Sequence, residues 1–224
     1  MDSHNTNYIS LKLISKLFAQ TEGRDKIMKI VQYLAKLRIL FHVKQESKLK
    51  ILVSNLSQTR KILRLVHFVE PLKEFKQILQ KDTGYKNTED RIQLVNALVS
   101  ILNDISDDIV CLGKMSLIKD KIILRKAERF SALAWFLCIH IDLFENMKSL
   151  SRSYQDLQNS EDESVKGKEI AKLKMQLISF TKLLFDFGFC LYDVFHIERF
   201  MIGQVSCGLG AGILSTYKLI LKSL

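Results

Sequence analysis

Residues 44–69, KQESKLKILVSNLSQTRKILRLVHFV, combine helical apolar spacing with many basic residues and contain neither glycine nor proline. Apolar residues recur at steps of three and four, so a helix would place them along one side. The bases occupy other positions, against a single acid, Glu46. The pattern predicts one basic amphipathic helix over the whole stretch, able to lie in a lipid interface with its apolar side submerged. A helix that faces the core of a bundle has the same spacing, so that alternative stays open.

On the lipid interpretation, two sets of side chains bind the membrane. The basic set, which would meet anionic headgroups, is Lys44, Lys48, Lys50, Arg60, Lys61 and Arg64. The apolar set, which would enter the leaflet, is Leu49, Leu52, Val53, Leu56, Leu63 and Val66.

Composition predicts an all-α protein. The 224 residues include one proline, nine glycines and 47% hydrophobic residues, and this scarcity of proline and glycine favours long helices with few turns. We therefore expect a membrane-associated helical protein with long amphipathic helices and one or two C-terminal hydrophobic helices. The polar, acidic stretch 151–164 is predicted to be a linker or an exposed loop.

The net charge of +10 comes entirely from the N-terminal part of the chain. Residues 1–126 hold 23 Lys or Arg and 13 Asp or Glu, whereas residues 127–224 hold 11 of each. This asymmetry predicts a basic amphipathic helical region over 1–126 and a hydrophobic, membrane-embedded helical region over 127–224. Such a basic region suits an anionic membrane surface or a nucleic acid. No known nucleic-acid-binding pattern occurs, so we expect no nucleic-acid partner.

The best candidate for a membrane span is the C-terminal segment 200–217. It has no charged residue over eighteen positions, about 27 Å of helix at the usual rise. Gly208 and Gly212 form a G-x-x-x-G pair that would let another helix approach closely in lipid. Another apolar segment, 130–141, would cover only about 18 Å and is too short to span alone. The alternative for 200–217 is a glycine-softened helix in a soluble bundle.

No pattern for catalysis, metal binding or cofactor binding occurs, and we expect neither an enzyme nor a cofactor. Asp104, Asp107 and Asp108 share one helical face and are predicted to be solvated. Asp186 and Asp193, seven positions apart, either line a polar path through a bundle or pair with nearby bases at a helix surface.

Four sequence blocks, in order, resemble blocks of one known protein family. TEGRDK at 21–26, followed by IVQY at 30–33, is similar to the family's T-x-G-R-D-K and Q-Y pattern. SQTRKILRL at 57–65 resembles its S-x-x-R-K-x-x-R-L block. DIVCLGK at 108–114 resembles a block in which many members have Trp where this chain has Cys111. The segment 208–215 resembles the family's glycine-rich C-terminal helix. On these blocks the chain resembles the peroxin-eleven family of peroxisomal membrane proteins.

The resemblance implies a protein of the peroxisomal membrane whose basic N-terminal region faces the cytosol. It implies that the chain remodels and elongates this membrane ahead of fission and so promotes peroxisome proliferation. Anionic membrane lipids, further copies of the chain and the organelle fission machinery are the expected partners. The family also permits a pore for small metabolites, and that alternative stays open.

Overall fold

The computed structural model describes residues 11, 14–41, 46–81, 87–159, 163–195, 197 and 200–223. Regular structure within these residues is entirely helical, which confirms the all-α prediction. The helices are α1 (Thr21–Leu40), α2 (Glu46–Leu63), α3 (Val69–Leu79), α4 (Thr88–Lys114), α5 (Lys121–Asn159), α6 (Glu163–Phe195) and α7 (Met201–Ser223).

Six of these helices pack in a closed ring. Along the ring α1 contacts α2, α2 contacts α4, α4 contacts α5, α5 contacts α6 and α6 contacts α7, which returns to α1. The remaining helix, α3, packs on α4. Helices close in sequence are therefore mostly neighbours in space, and the closure depends on the contact between the first and last members, α1 and α7.

The predicted single helix over 44–69 is wrong at its C-terminal end. α2 ends at Leu63, and Val66 has a φ of 64°, an uncommon conformation for a β-branched residue. The turn is held from α4, because the Val66 amide donates to Asp108 Oδ2 at 3.1 Å and His67 Nδ1 lies 2.9 Å from Asp104 Oδ2. Tertiary contacts thus interrupt a sequence whose local pattern continues.

Pro71, the one proline of the chain, lies in the first turn of α3. Amides there have no intrahelical acceptor, so proline loses no helical hydrogen bond.

The predicted linker over 151–164 is wrong for 151–159, since α5 continues to Asn159. This stretch contains no glycine or proline, and Ser153 is buried, so its polar residues extend the helix. α6 begins at Glu163. α5 also crosses the boundary between 126 and 127, so the change in charge does not coincide with a break between helices.

Glycines of α7 permit close packing on two neighbours. A Cβ at Gly208 would lie 2.4 Å from Tyr33 Cε1 of α1, and one at Gly212 would lie 3.3 Å from Ile30 Cγ1 of the same helix. A Cβ at Gly210 would likewise lie 2.9 Å from Phe185 Cε1 of α6. The predicted helix-packing glycines therefore contact α1 of their own chain.

Among the described residues, no helix has both the length and the apolar character needed to cross a bilayer. The span predicted over 200–217 falls mostly within α7, where glycines and polar side chains such as Gln204 dilute the apolar sequence. That span is not confirmed.

The contact of Gly208 with Tyr33 predicts a stability effect. Gly208→Ala should lower the free energy of unfolding by about 1–3 kcal/mol, because the new methyl group overlaps a buried ring. Gly167→Ala is the matched control, since α6 leaves open space there and alanine should stabilise the helix by about 0.5–1 kcal/mol. Denaturant unfolding of the purified proteins measures both. An equal rise in the free energy of unfolding from the two substitutions would contradict the close packing of Gly208 on Tyr33.

Candidate functional site

A polar cavity of about 480 Å³ lies at the centre of the ring. All six ring helices contribute to its wall. The basic lining residues are Lys29, Lys36, Arg60, Lys61 and Arg64, and the acidic ones are Asp107, Glu128 and Asp193. The bases come from α1, α2 and the turn that follows α2, whereas the acids come from α4, α5 and α6.

A second cavity of about 940 Å³ adjoins the first and shares Glu128, Ala132, Asp193 and Gln204 with it. Its own basic residues are Lys114, Arg125 and Arg129, and its apolar residues include Leu133, Val194, Ile197 and Met201. The two cavities together form a polar interior that becomes more apolar away from the centre.

Arg60 joins α2 to α1 at the wall of the central cavity. Its Nε donates to Asp25 Oδ1 at 2.9 Å and its Nη1 donates to Gln32 Oε1 at 2.8 Å. The Arg60 and Asp25 side chains are only 10% and 12% exposed. A charge removed from water this far is stable only when it is paired and hydrogen-bonded, and here both conditions hold.

Asp186 is held between two lysines. Lys29 Nζ of α1 lies 3.3 Å from Asp186 Oδ1, and Lys182 Nζ of α6 lies 2.7 Å from Oδ2. Burial would raise the pKa of Asp186, but the two lysines hold it below its usual value. Of the two interpretations left open for this residue, pairing with bases is the one observed, although at a buried rather than an exposed position.

Three other bases at the central cavity are less completely paired. Lys36 Nζ lies 4.9 Å from the centroid of the Tyr33 ring, and Lys61 Nζ lies 3.9 Å from Asp107 Oδ1. Arg64 Nε lies 4.0 Å from Asp25 Oδ1, the oxygen that already accepts from Arg60. Burial lowers the pKa of Lys36 and of Lys61, although the carboxylates of Asp193 and Asp107, respectively, act in the opposite direction.

The three aspartates predicted to be solvated have separate partners instead. Asp104 and Asp108 hold the turn after α2, while Asp107 accepts from Ser131 Oγ at 3.0 Å and faces Lys61. Within the described ranges, no group of His, Cys, Asp or Glu side chains is arranged to hold a metal ion.

The structure divides the predicted membrane-binding residues between two sides of α2. Those turned wholly or partly inward are Leu49, Val53, Leu56, Arg60, Lys61 and Leu63, with Arg60 buried and the others half-buried. Those exposed are Lys48, Lys50, Leu52, Arg64 and Val66, and Lys44 lies outside the described residues. The apolar face that suggested lipid contact is therefore mainly the face that packs in the ring, and contact of these residues with lipid stays a prediction.

The outer side of α2 carries apolar residues that the spacing argument passed over. Ile51 is 62% exposed, and Leu52 and Ile62 are each 42% exposed. Ile51 and Ile62 are eleven positions apart, close to three helical turns, so they lie along one line. Sequence reasoning missed both because they fall outside the longer apolar series that packs inward.

The family model described as peroxisomal biogenesis factor 11 (PEX11) matches residues 11–220. The chain belongs to this family. It is accordingly a peroxisomal biogenesis factor, and membership implies association with the peroxisomal membrane. Neither the curated proteins nor the solved structures contain a match to the chain.

The sequence blocks that resemble the PEX11 family meet one another around the central cavity. Asp25 and Gln32 from the first block bind Arg60 from the second. Tyr33, also from the first block, covers Gly208 in the last. Lys114 ends the third block and lines the adjoining cavity. The sequence alone pointed to these blocks, but their contacts became visible only in the fold.

Removal of Asp25 should destabilise this PEX11-family chain strongly. In Asp25→Ala the Arg60 guanidinium stays buried without its carboxylate, and the free energy of unfolding should fall by about 3–5 kcal/mol. Glu70→Ala removes the same charge from an exposed pair with Lys73 and should cost less than about 1 kcal/mol. Denaturant unfolding in detergent compares them, and losses of equal size would show that the buried pair contributes little.

Proposed function

We propose that this chain elongates the peroxisomal membrane ahead of fission by inserting exposed apolar helix faces, including that of α2, into the cytosolic leaflet. The observation that supports the proposal most strongly is the distribution of polarity across the ring. Charged side chains surround the central cavity, whereas rows of large apolar side chains remain on the outside. Bundles that work in water usually show the opposite arrangement.

Two long helices carry these apolar rows. Exposed residues recur at steps of three and four on α4 and at steps of three, four and seven on α5, which places each row on one face of its helix. The rows are Val95, Leu98, Leu102 and Ile105 on α4, and Phe130, Leu133, Leu137 and Phe144 on α5. Full removal of one large apolar side chain from water is favourable by about 1.5–3 kcal/mol of free energy, so contact of these rows with acyl chains is favourable.

α2 combines exposed apolar residues with exposed bases. Ile51, Leu52 and Ile62 lie on its outer side, near Lys48 and Lys50. Lysines near an anionic lipid surface contribute about 1 kcal/mol each, and the apolar residues can then enter between headgroups. Insertion into one leaflet expands it relative to the other and favours curvature. The outer side of α2 can act in this way while Arg60 still holds the inner side against α1.

Substitution on the outer side of α2 tests the proposal. The double variant Leu52→Glu and Ile62→Glu should bind anionic vesicles at least tenfold more weakly and form few tubules, because two carboxylates would have to enter the leaflet. Co-sedimentation measures binding, and electron microscopy counts the tubules.

Gln155→Glu and Gln158→Glu form the matched control, since both positions are exposed at the polar end of α5, away from α2, and gain the same charge. The control should keep most of the tubulation, provided that circular dichroism shows both double variants to be folded. Tubulation by the Leu52 and Ile62 variant at the level of the control would rule out this face of α2 as the wedge.

A passage for small solutes is the second candidate, and the polar cavity with Asp193 in its wall is the observation that favours it. The same vesicles discriminate between the two functions when they contain a trapped dye. Dye release without tubulation would favour the passage, whereas tubulation with the dye retained would favour remodelling.

The proposal also requires the basic half of the chain to face the cytosol, where anionic lipid attracts it. Protease added to intact peroxisomes should therefore remove a tag placed before residue 1, as shown by immunoblotting. A matrix protein should stay intact in the same sample. Protection of the tag until detergent is added would contradict this orientation.

A further inference from the structure

We propose that the central cavity is a binding site for a phosphate-bearing anion, held by Lys36 of α1 with Lys61 of α2 and Arg64 of the turn after α2. The site goes beyond the proposed remodelling, because a folded chain could bind the anion whether or not it bends membranes.

The balance of charge in the cavities is the first argument. Five bases line the central cavity and three others line the adjoining one, whereas the two cavities together have three acids. Within a cavity such an excess creates a positive potential, because low-dielectric walls screen it poorly.

The second argument is that two of the three acids of the cavity, Asp107 and Asp193, already have partners. Asp107 accepts from Ser131 and faces Lys61, and Asp193 Oδ1 accepts from Gln204 Nε2 at 2.5 Å. These carboxylates are held at the wall and do not fill the space between the bases.

The third argument concerns the bases that are not fully satisfied. Arg60 and Lys29 have short contacts with Asp25 and Asp186. Lys36, in contrast, forms no ion pair with any carboxylate of the described residues and rests on the Tyr33 ring. Lys61 and Arg64 have carboxylates only at 3.9 and 4.0 Å, and Arg64 Nε donates instead to the main-chain carbonyl oxygen of Arg60 at 3.3 Å. An anion between these three would provide acceptors for the two lysine Nζ atoms and for the terminal nitrogens of Arg64.

A phosphate group is the anion that suits these three bases. A phosphate group offers several oxygens to donors that approach from different directions, and a guanidinium can bind two of them at once. The volume of about 480 Å³ exceeds that of a bare phosphate and is within the range of ordinary ligand sites. A larger phosphorylated molecule would therefore fit.

The adjoining cavity connects this site with the apolar exterior. Leu133 lines that cavity and also belongs to the exposed row on α5. A lipid headgroup could thus place its phosphate among the bases while its chains follow the apolar wall outward. A free phosphate compound would use the polar part alone. The lipid headgroup and the free phosphate compound would bind at the same site, and experiment can distinguish between them.

The single tryptophan of the chain, Trp135, lines the central cavity and can report binding by its fluorescence. The full chain in detergent is titrated with inorganic pyrophosphate at constant ionic strength, and separately with mixed micelles that contain phosphatidic acid or phosphatidylcholine. Saturable change with pyrophosphate identifies a free phosphate compound. Change with phosphatidic acid alone identifies a lipid headgroup.

The double variant Lys36→Gln and Arg64→Gln should weaken binding at least tenfold, because two charge-assisted hydrogen bonds are lost. Lys73→Gln with Lys172→Gln removes the same charge from exposed pairs and should bind as the unaltered chain does. If the first variant loses its helical circular dichroism, Lys61→Gln alone serves for the comparison. Equal affinities in variant and control, or no saturable change with either probe in the unaltered chain, would overturn the proposal.

Discussion

The buried contact of Arg60 with Asp25 and Gln32 is the constraint on which the arrangement of the first helices depends. It places a charge from α2 in the interior and satisfies it with two side chains from α1. Because α1 also packs on α7, the position of α1 decides whether the ring of six helices closes. The glycines of α7 complete this closure by allowing Tyr33 and Ile30 to approach its backbone.

Closure determines where polar groups go. Once α1 and α2 direct their bases inward, Lys29 pairs with Asp186 of α6 and Lys61 faces Asp107 of α4, and the centre of the ring is polar. The outer faces of α4 and α5 can then remain apolar, and such faces suit the lipid contact that we propose for this chain. The inward direction of these bases thus accounts both for the polar cavity inside the ring and for the apolar rows outside it.

Much of this fold was accessible from the sequence. One proline and few glycines predicted long helices, and the four blocks predicted the family that the match over residues 11–220 confirms. Those blocks contain the residues that hold the ring together, including Asp25, Arg60 and Gly208. The predicted face of α2 was less reliable, since the apolar spacing that fits a lipid interface fits a bundle equally well. Ile51 and Ile62 were missed for this reason.

What the sequence determined by itself is the local content: helices with few breaks, an excess of bases before residue 127 and the order of the family blocks. Periodicity and charge are properties of neighbouring residues, so they can be read along the chain. The tertiary structure alone decided that α2 ends at Leu63, that Arg60 points inward, and that the bases of two helices surround one cavity. These features depend on partners far apart in sequence, such as Asp108 for Val66 and Asp25 for Arg60, and no local pattern specifies which partner a side chain will meet.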